Sequence, residues 1–318
     1  MSDRSPILTA EFRDCDAYFN AINDLNLRCT LHGLETSVWR IDSVSLPCGI
    51  DLQYCSSGSG ALGQGASRNG GYELGVPATG DFSGNGKPMP VESALLMVPG
   101  SEFLVSISRS HSWFGIFVPE SLADSIVLTE DAAGHVRART QVLHNAAPAR
   151  GSVPTLLRRF FANALAAPEM TCREQALGKF ESELLAALGA AYGYSPPPMR
   201  SRAGRPAVVD RASVSRALDA IEASEEPMIA MAELVNITNV PERSLRAGFG
   251  KYLGMSPTRY MQLRVLNRAR HRLATSEPKE TTVAEVAADL GVWDLGRFAA
   301  RYRGLFGELP SSTLRQSS

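Results

Sequence analysis

Long apolar runs are missing from this chain. No stretch of about eighteen apolar residues occurs in its 318, so a membrane-spanning helix is not expected. Cysteine is scarce and odd in number: Cys15, Cys29, Cys48, Cys55 and Cys172 contain no C-x-x-C pair. That argues against a disulfide scaffold and for a reducing, cytoplasmic setting. The thiols could sense oxidants if one were exposed and activated, but buried or inert thiols are the simpler reading. His32, His111, His135, His144 and His271 include no His-x-His pair, so no metal and no cofactor is expected. No Ser/His/Asp or Cys/His elbow is visible, so the chain does not read as an enzyme. A large excess of either charge is also lacking, with 32 basic and 33 acidic side chains. This excludes a wholly basic nucleic-acid coat and a polyacidic chaperone. The stretch MSDRSPILTAEFRDCDAYF has charges but no apolar signal core, so no leader is expected.

The near-zero balance conceals an asymmetry. Residues 1–195 hold 14 basic and 20 acidic side chains, and residues 196–318 hold 18 and 13. An acidic front and a basic back suggest different partners. The front reads first as short strands, among them LETSVWRIDSVSLP, ALLMVPG and SWFGIFVPE, punctuated by Gly, Pro and Ser. They imply a sandwich or jelly-roll barrel over about 1–150. Helical spacing follows over about 153–194, where Leu177, Phe180, Leu184 and Leu188 form an apolar stripe. The stripe fits packing on the barrel or a dimer seam. SPPPMRSRAGRP then breaks the pattern, so 196–212 reads as a linker. The fold class is thus α+β: a β-barrel with helices over 1–195, joined to an all-α domain over 213–318. GSGALG over 58–63 matches G-x-G-x-x-G, but a further glycine-rich loop follows it instead of a helix, so a dinucleotide site is not expected.

The back half repeats one layout. In TTVAEVAADLGVWDLGRFAARYRGLF, Thr282 and Glu285 make a capping box. Val283, Val286, Ala287 and Leu290 face inward, and Gly291 supplies a tight turn. Asp294 can cap a second helix, in which Leu295, Phe298 and Tyr302 recur on one side with Arg297, Arg301 and Arg303 on others. The same layout occurs in MAELVNITNVPERSLRAGFGKYLG, with Asn239 at the turn and Leu245 and Phe249 inward. One long helix, carrying Arg264, Arg268, Arg270 and Arg272 away from its apolar side, joins the two. Two helix-turn-helix units joined by a basic helix point to double-stranded DNA, because arginine can pair with guanine O6 and N7 or with phosphate.

Residues 213–315 resemble the DNA-binding domain of AraC/XylS-family transcription regulators. RSLRAGFGKYLGMSPTRYMQLRVLNRARHRL and TVAEVAADLGVWDLGRFAARYRGLFGELPSSTLR carry the resemblance. Departures are Val235 for the usual Ala, Asn239 for Gly, Pro241 for a Ser/Thr cap and Val292 for Phe. The resemblance implies that the two units read successive major grooves. By position, Arg243, Ser244, Arg246 and Ala247 form the first reading face, and Leu295, Gly296, Arg297, Ala300 and Arg301 the second. It further implies a regulator, more often an activator than a repressor, that forms a homodimer and contacts RNA polymerase.

The front half resembles the cupin-like effector domains attached to this family. That implies a small-molecule pocket, with Trp39, Tyr54, Tyr72, Phe82, Phe103 and Trp113 as candidate walls. The effector class stays open between a small amine and an aromatic acid. Glu73 or Glu102 could pair with a cationic effector, although surface carboxylates are the plainer reading. Two other functions stand beside this one. One is a cupin-like metal enzyme fused to a DNA-binding module. The other is an effector-independent DNA-binding protein.

Overall fold

Period-two alternation shapes the front of the molecule. The computed structural model describes residues 7–12, 15–22, 26–124, 139–145, 152–171, 173–193 and 209–316. His135, Cys172 and residues 196–208 of the expected linker lie outside these. The strands are β1 (Leu8–Phe12), β2 (Asn26–Ser45), β3 (Asp51–Ala66), β4 (Gly71–Thr79), β5 (Phe82–Gly84), β6 (Lys87–Met89), β7 (Ser93–Met97), β8 (Glu102–Ile107), β9 (His111–Pro119) and β10 (Gln141–His144). They form one antiparallel sheet in the order β10-β7-β4-β9-β3-β8-β5-β6, with β2 on β3 and β1 on β2, wrapped into a nearly closed barrel.

β3 is the hinge of the wrap. Its first half pairs with β9 and its second half with β8, while β2 follows its other edge. Register shifts in β2 at Leu31/Gly33 and Leu34/Trp39 bend the pair. The strands are longer than expected, and GSGALG lies inside β3. Its glycines permit close approach: a Cβ on Gly60 would meet His32 Cε1 at 2.6 Å and the Ser108 carbonyl at 2.7 Å.

Side chains alternate across the sheet. On β7, Ala94 and Leu96 face outward with Phe114, Ile116 and Val118 of β9, whereas Leu95 and Met97 face inward with Phe82, Phe103 and Ile107. The outward face packs on α3 (Val153–Ala166) and α5 (Glu174–Leu188), with Phe160 and Phe180 stacked at 3.9 Å. Leu177, Phe180, Leu184 and Leu188 are therefore buried within the chain, and the stripe is not a free dimer seam.

The back half is helical: α6 (Arg211–Ala223), α7 (Met231–Thr238), α8 (Glu242–Leu253), α9 (Pro257–Thr275), α10 (Val283–Asp289), α11 (Leu295–Phe306) and α12 (Pro310–Gln316). It is docked on the barrel through two apolar clusters. In one, Tyr18, Leu31 and Trp39 pack with Leu263, Leu266 and Tyr302. In the other, Leu62 and Leu104 pack with Leu218, Phe249 and Tyr260. Arg211 pairs with Glu102 at 2.8 Å, and Gln64 donates to Asp219 at 3.0 Å. Among the described residues, no helix is long and apolar enough to cross a membrane, and no His/Cys/Asp/Glu group could hold a metal ion.

Candidate DNA-binding interface and barrel pocket

Local chemistry sets both turns. Asn239 ends α7 in the left-handed region at φ 54°, and Gly291 follows α10 at φ 67°. Thr282 and Glu285 form the full capping box on α10, and the Asp294 carboxylate accepts from the Arg297 amide at 2.9 Å. Pro241 offers α8 no side-chain cap. Instead, Leu245, Phe249, Tyr252 and Leu253 anchor that helix by burial. Gly248 lets α8 approach α6, since a Cβ there would lie 2.9 Å from Val214 Cγ2.

With these anchors buried, the opposite faces are open. Arg243, Arg246 and Ala247 are exposed and Ser244 is half-buried. Arg246 lies back along α8, its Nε donating to Glu242 at 2.8 Å. On α11, Leu295, Gly296, Arg297, Ala300 and Arg301 are all exposed. Leu295, expected on the inward side, is 43% exposed, because the buried face of α11 starts at Phe298. Trp293 is not among the residues expected at the interface. It is 83% exposed in the turn that leads into α11, beside a groove of about 300 Å³ shared with Met228, Arg297 and Arg301.

The basic helix α9 departs from expectation at Arg264, which is 2% exposed. Its guanidinium donates to the carbonyls of Glu222, Ser224 and Glu226, at and beyond the C-terminal end of α6, and lies 3.5 Å from the Glu222 carboxylate. A cation suits the negative end of a helix dipole. Arg268 donates to the Glu222 carbonyl at 2.8 Å, and Arg272 pairs with Asp289 at 2.6 Å. These arginines thus hold the domain together along one wall of an open cleft of about 700 Å³ between α9 and β2.

Inside the barrel lies a smaller cavity of about 80 Å³. Phe82, Phe103 and Trp113 line it, together with Met89, Met97 and His111. Trp39, Tyr54 and Tyr72 are placed elsewhere. Trp39 is fully buried against the helical half, Tyr54 stands against Phe114 and Phe161, and Tyr72 belongs to the outward core. Glu73 and Glu102, candidates for a cationic effector, both have basic partners within the chain, Arg68 at 3.7 Å and Arg211 at 2.8 Å. His111 Nδ1 sits 3.1 Å from the carbonyls of Ser59 and Arg109, which selects the Nδ1–H tautomer. Burial lowers the pKa of this imidazole from 6.5.

One side of this cavity is shared with the docking interface. Phe19, Ile22 and Ala61 line it and are buried in the same cluster as Leu263, Leu266 and Tyr302, and Leu27, Cys29 and Trp113 pack against that cluster.

Comparisons with known proteins agree with the helical half. A helix-turn-helix domain family matches residues 234–316. Over 104 residues the chain is 38% identical to XylDLEGF operon transcriptional activator 3 of Pseudomonas putida, covering 33% of this chain and 31% of that one. A shorter relative there, XylDLEGF operon transcriptional activator 2, is 37% identical over 99 residues and 63% covered. The chain spans about a third of the length of the first of these relatives. Among solved structures, a probable AraC family transcriptional regulator from Rhodopseudomonas palustris CGA009 is 32% identical, covering 33% of this chain and 97% of that one at a TM-score of 0.31. ToxT from Vibrio cholerae is 9% identical, covering 92% and 98% at a TM-score of 0.30.

Proposed function

We propose that the chain is a sequence-specific DNA-binding activator of the AraC/XylS type, controlled by a small molecule held in the barrel; the likeness of its helical half to a helix-turn-helix domain family and to XylDLEGF operon transcriptional activators supports this reading. One observation carries the reading: Arg243 and Arg246 on α8, and Arg297 and Arg301 on α11, are exposed together while the barrel is docked on other faces of the same helices. Arg243, Arg246 and Arg297 are assigned to base edges, and Arg301 to a base or a phosphate. Trp293 is added as an apolar contact beside the second reading face. The relatives that are named activators favour activation over repression.

The docked barrel leaves the reading faces open, so the effector does not act by uncovering them. It acts through the wall that the cavity shares with α9 and α11, by favouring one placement of the two units over another. Assembly as a homodimer, contact with RNA polymerase, a cytoplasmic location and the absence of enzymatic activity are part of the proposal on family likeness. So is the division into 1–195, a linker over 196–212, and 213–318.

Selection of bound sites from random DNA by the full chain at fixed salt tests this reading. Enrichment of an asymmetric site with two boxes about one helical turn apart is the expected result. No enrichment would overturn it.

A further inference from the structure

The barrel cavity has walls of one kind. Among the described residues, Phe82, Phe103, Met89, Met97 and Trp113 are among its lining groups, and no Lys, Arg, Asp or Glu lines it. The acidic candidates on the barrel point elsewhere, Glu73 to Arg68 and Glu102 to Arg211. His111 is the single lining group that could carry a positive charge. Its Nδ1 faces two carbonyls, and burial holds the ring neutral near pH 7.

An ion brought into such a site would lose its hydration and meet no counter-charge. A neutral ring or short chain would exchange water for aromatic and thioether contacts. Size narrows the choice further. An apolar cavity of about 150 Å³ holds benzene, and this one measures about 80 Å³. A single ring therefore enters only as the flexible Met89 and Met97 give way, and a long or many-ringed molecule would need a far larger rearrangement of the barrel.

We infer that the effector is a small, uncharged, apolar molecule of about one aromatic ring, and neither an amine cation nor a carboxylate. This rests on the reading that the barrel cavity is the effector site, and it closes the choice that the sequence left open between a small amine and an aromatic acid.

Four probes that share one ring test it on the full chain: toluene, benzyl alcohol, benzoate and benzylammonium. Thermal unfolding reports binding. Fluorine NMR of protein carrying 5-fluorotryptophan reports the place, since Trp113 lines the cavity while Trp39 is buried in the docking cluster and Trp293 is exposed. Gly75→Val is the filling variant. Gly75 lines the cavity, and a Cβ there meets no atom within 4 Å.

Toluene and benzyl alcohol should raise the melting temperature and move the Trp113 signal. The two ions should bind at least about tenfold more weakly. Gly75→Val should fold and lose the toluene response. If that variant does not fold, the Trp113 signal of the unsubstituted protein decides alone. Equal or tighter binding of either ion, with Trp113 moving, would overturn the ligand class and keep the pocket. No response from any probe would overturn both the class and the pocket, and would leave the DNA-binding reading to the site selection.

Discussion

Asn267 of α9 pairs edge-on with the backbone of Leu31. Its Nδ2 donates to the Leu31 carbonyl at 2.9 Å, and its Oδ1 accepts from the Leu31 amide at 3.1 Å. β1 covers the outer edge of β2 only from Trp39 to Ser43. Farther along that strand, one side chain of the helical half satisfies an open sheet edge. Replacing it with leucine should leave that amide and carbonyl unpaired and weaken docking by about 1–3 kcal/mol. The expected readout is faster proteolysis of the full chain and a lower unfolding midpoint. Unchanged values for both would mean that the pair does not hold the halves together.

Arg264 gives a second prediction. Arg264→Met keeps much of the volume but takes the donor from the Glu226 carbonyl and the guanidinium from the Glu222 carboxylate, leaving Arg268 alone on the Glu222 and Ser224 carbonyls. Removing one partner of a buried charged network costs on the order of 3–5 kcal/mol. Urea unfolding should show a loss of that size, larger than for Arg272→Met, whose pair with Asp289 is exposed. Equal small losses would contradict the anchoring role of Arg264.

Stability should fall on mild acidification. Burial lowers the pKa of both His111 and His32 from 6.5, so the unfolded chain takes up protons first as pH drops. Their contribution is complete above about pH 6.5 and is lost as pH falls toward the lower folded values. Urea midpoints measured from neutral pH downward should decline. His111→Gln should flatten part of that slope, and an unaltered slope would remove His111 as a contributor.

Trp293 is open to solvent, so Trp293→Ser should change stability by no more than about 0.5 kcal/mol. Affinity for a selected site should nevertheless fall by about tenfold, the weight of one good contact. Equal affinity would take Trp293 out of the interface.

What could be read from the sequence was local. The capping box at Thr282, the left-handed Asn239 and Gly291, and the Asp294 cap depend on residues within a few positions of one another, and each appears as expected. What could not be read was long-range. Arg264 looks like a solvated helix residue until α6, forty residues earlier, brings its carbonyls to it. GSGALG reads as a loop because glycine disfavours strands, yet pairing with β2 and β8 fixes it as one. The aromatic candidates for the pocket divided for the same reason. Alternation tells which residues share a face, but not which face encloses the cavity. Phe82, Phe103 and Trp113 turn inward, while Trp39 meets a helix more than two hundred residues away.

The most direct test of the central claim is a cycle between protein and DNA on a selected two-box site. Affinity of the full chain, Arg246→Ala and Arg297→Ala is measured against the intact site and against sites with either box scrambled. Each substitution should cost about 1–3 kcal/mol on the intact site. Each should also remove sensitivity to one box and keep sensitivity to the other, a different box for each arginine. If both variants keep full sensitivity to both boxes, neither helix reads bases through these arginines, and the assignment of the two reading faces is wrong.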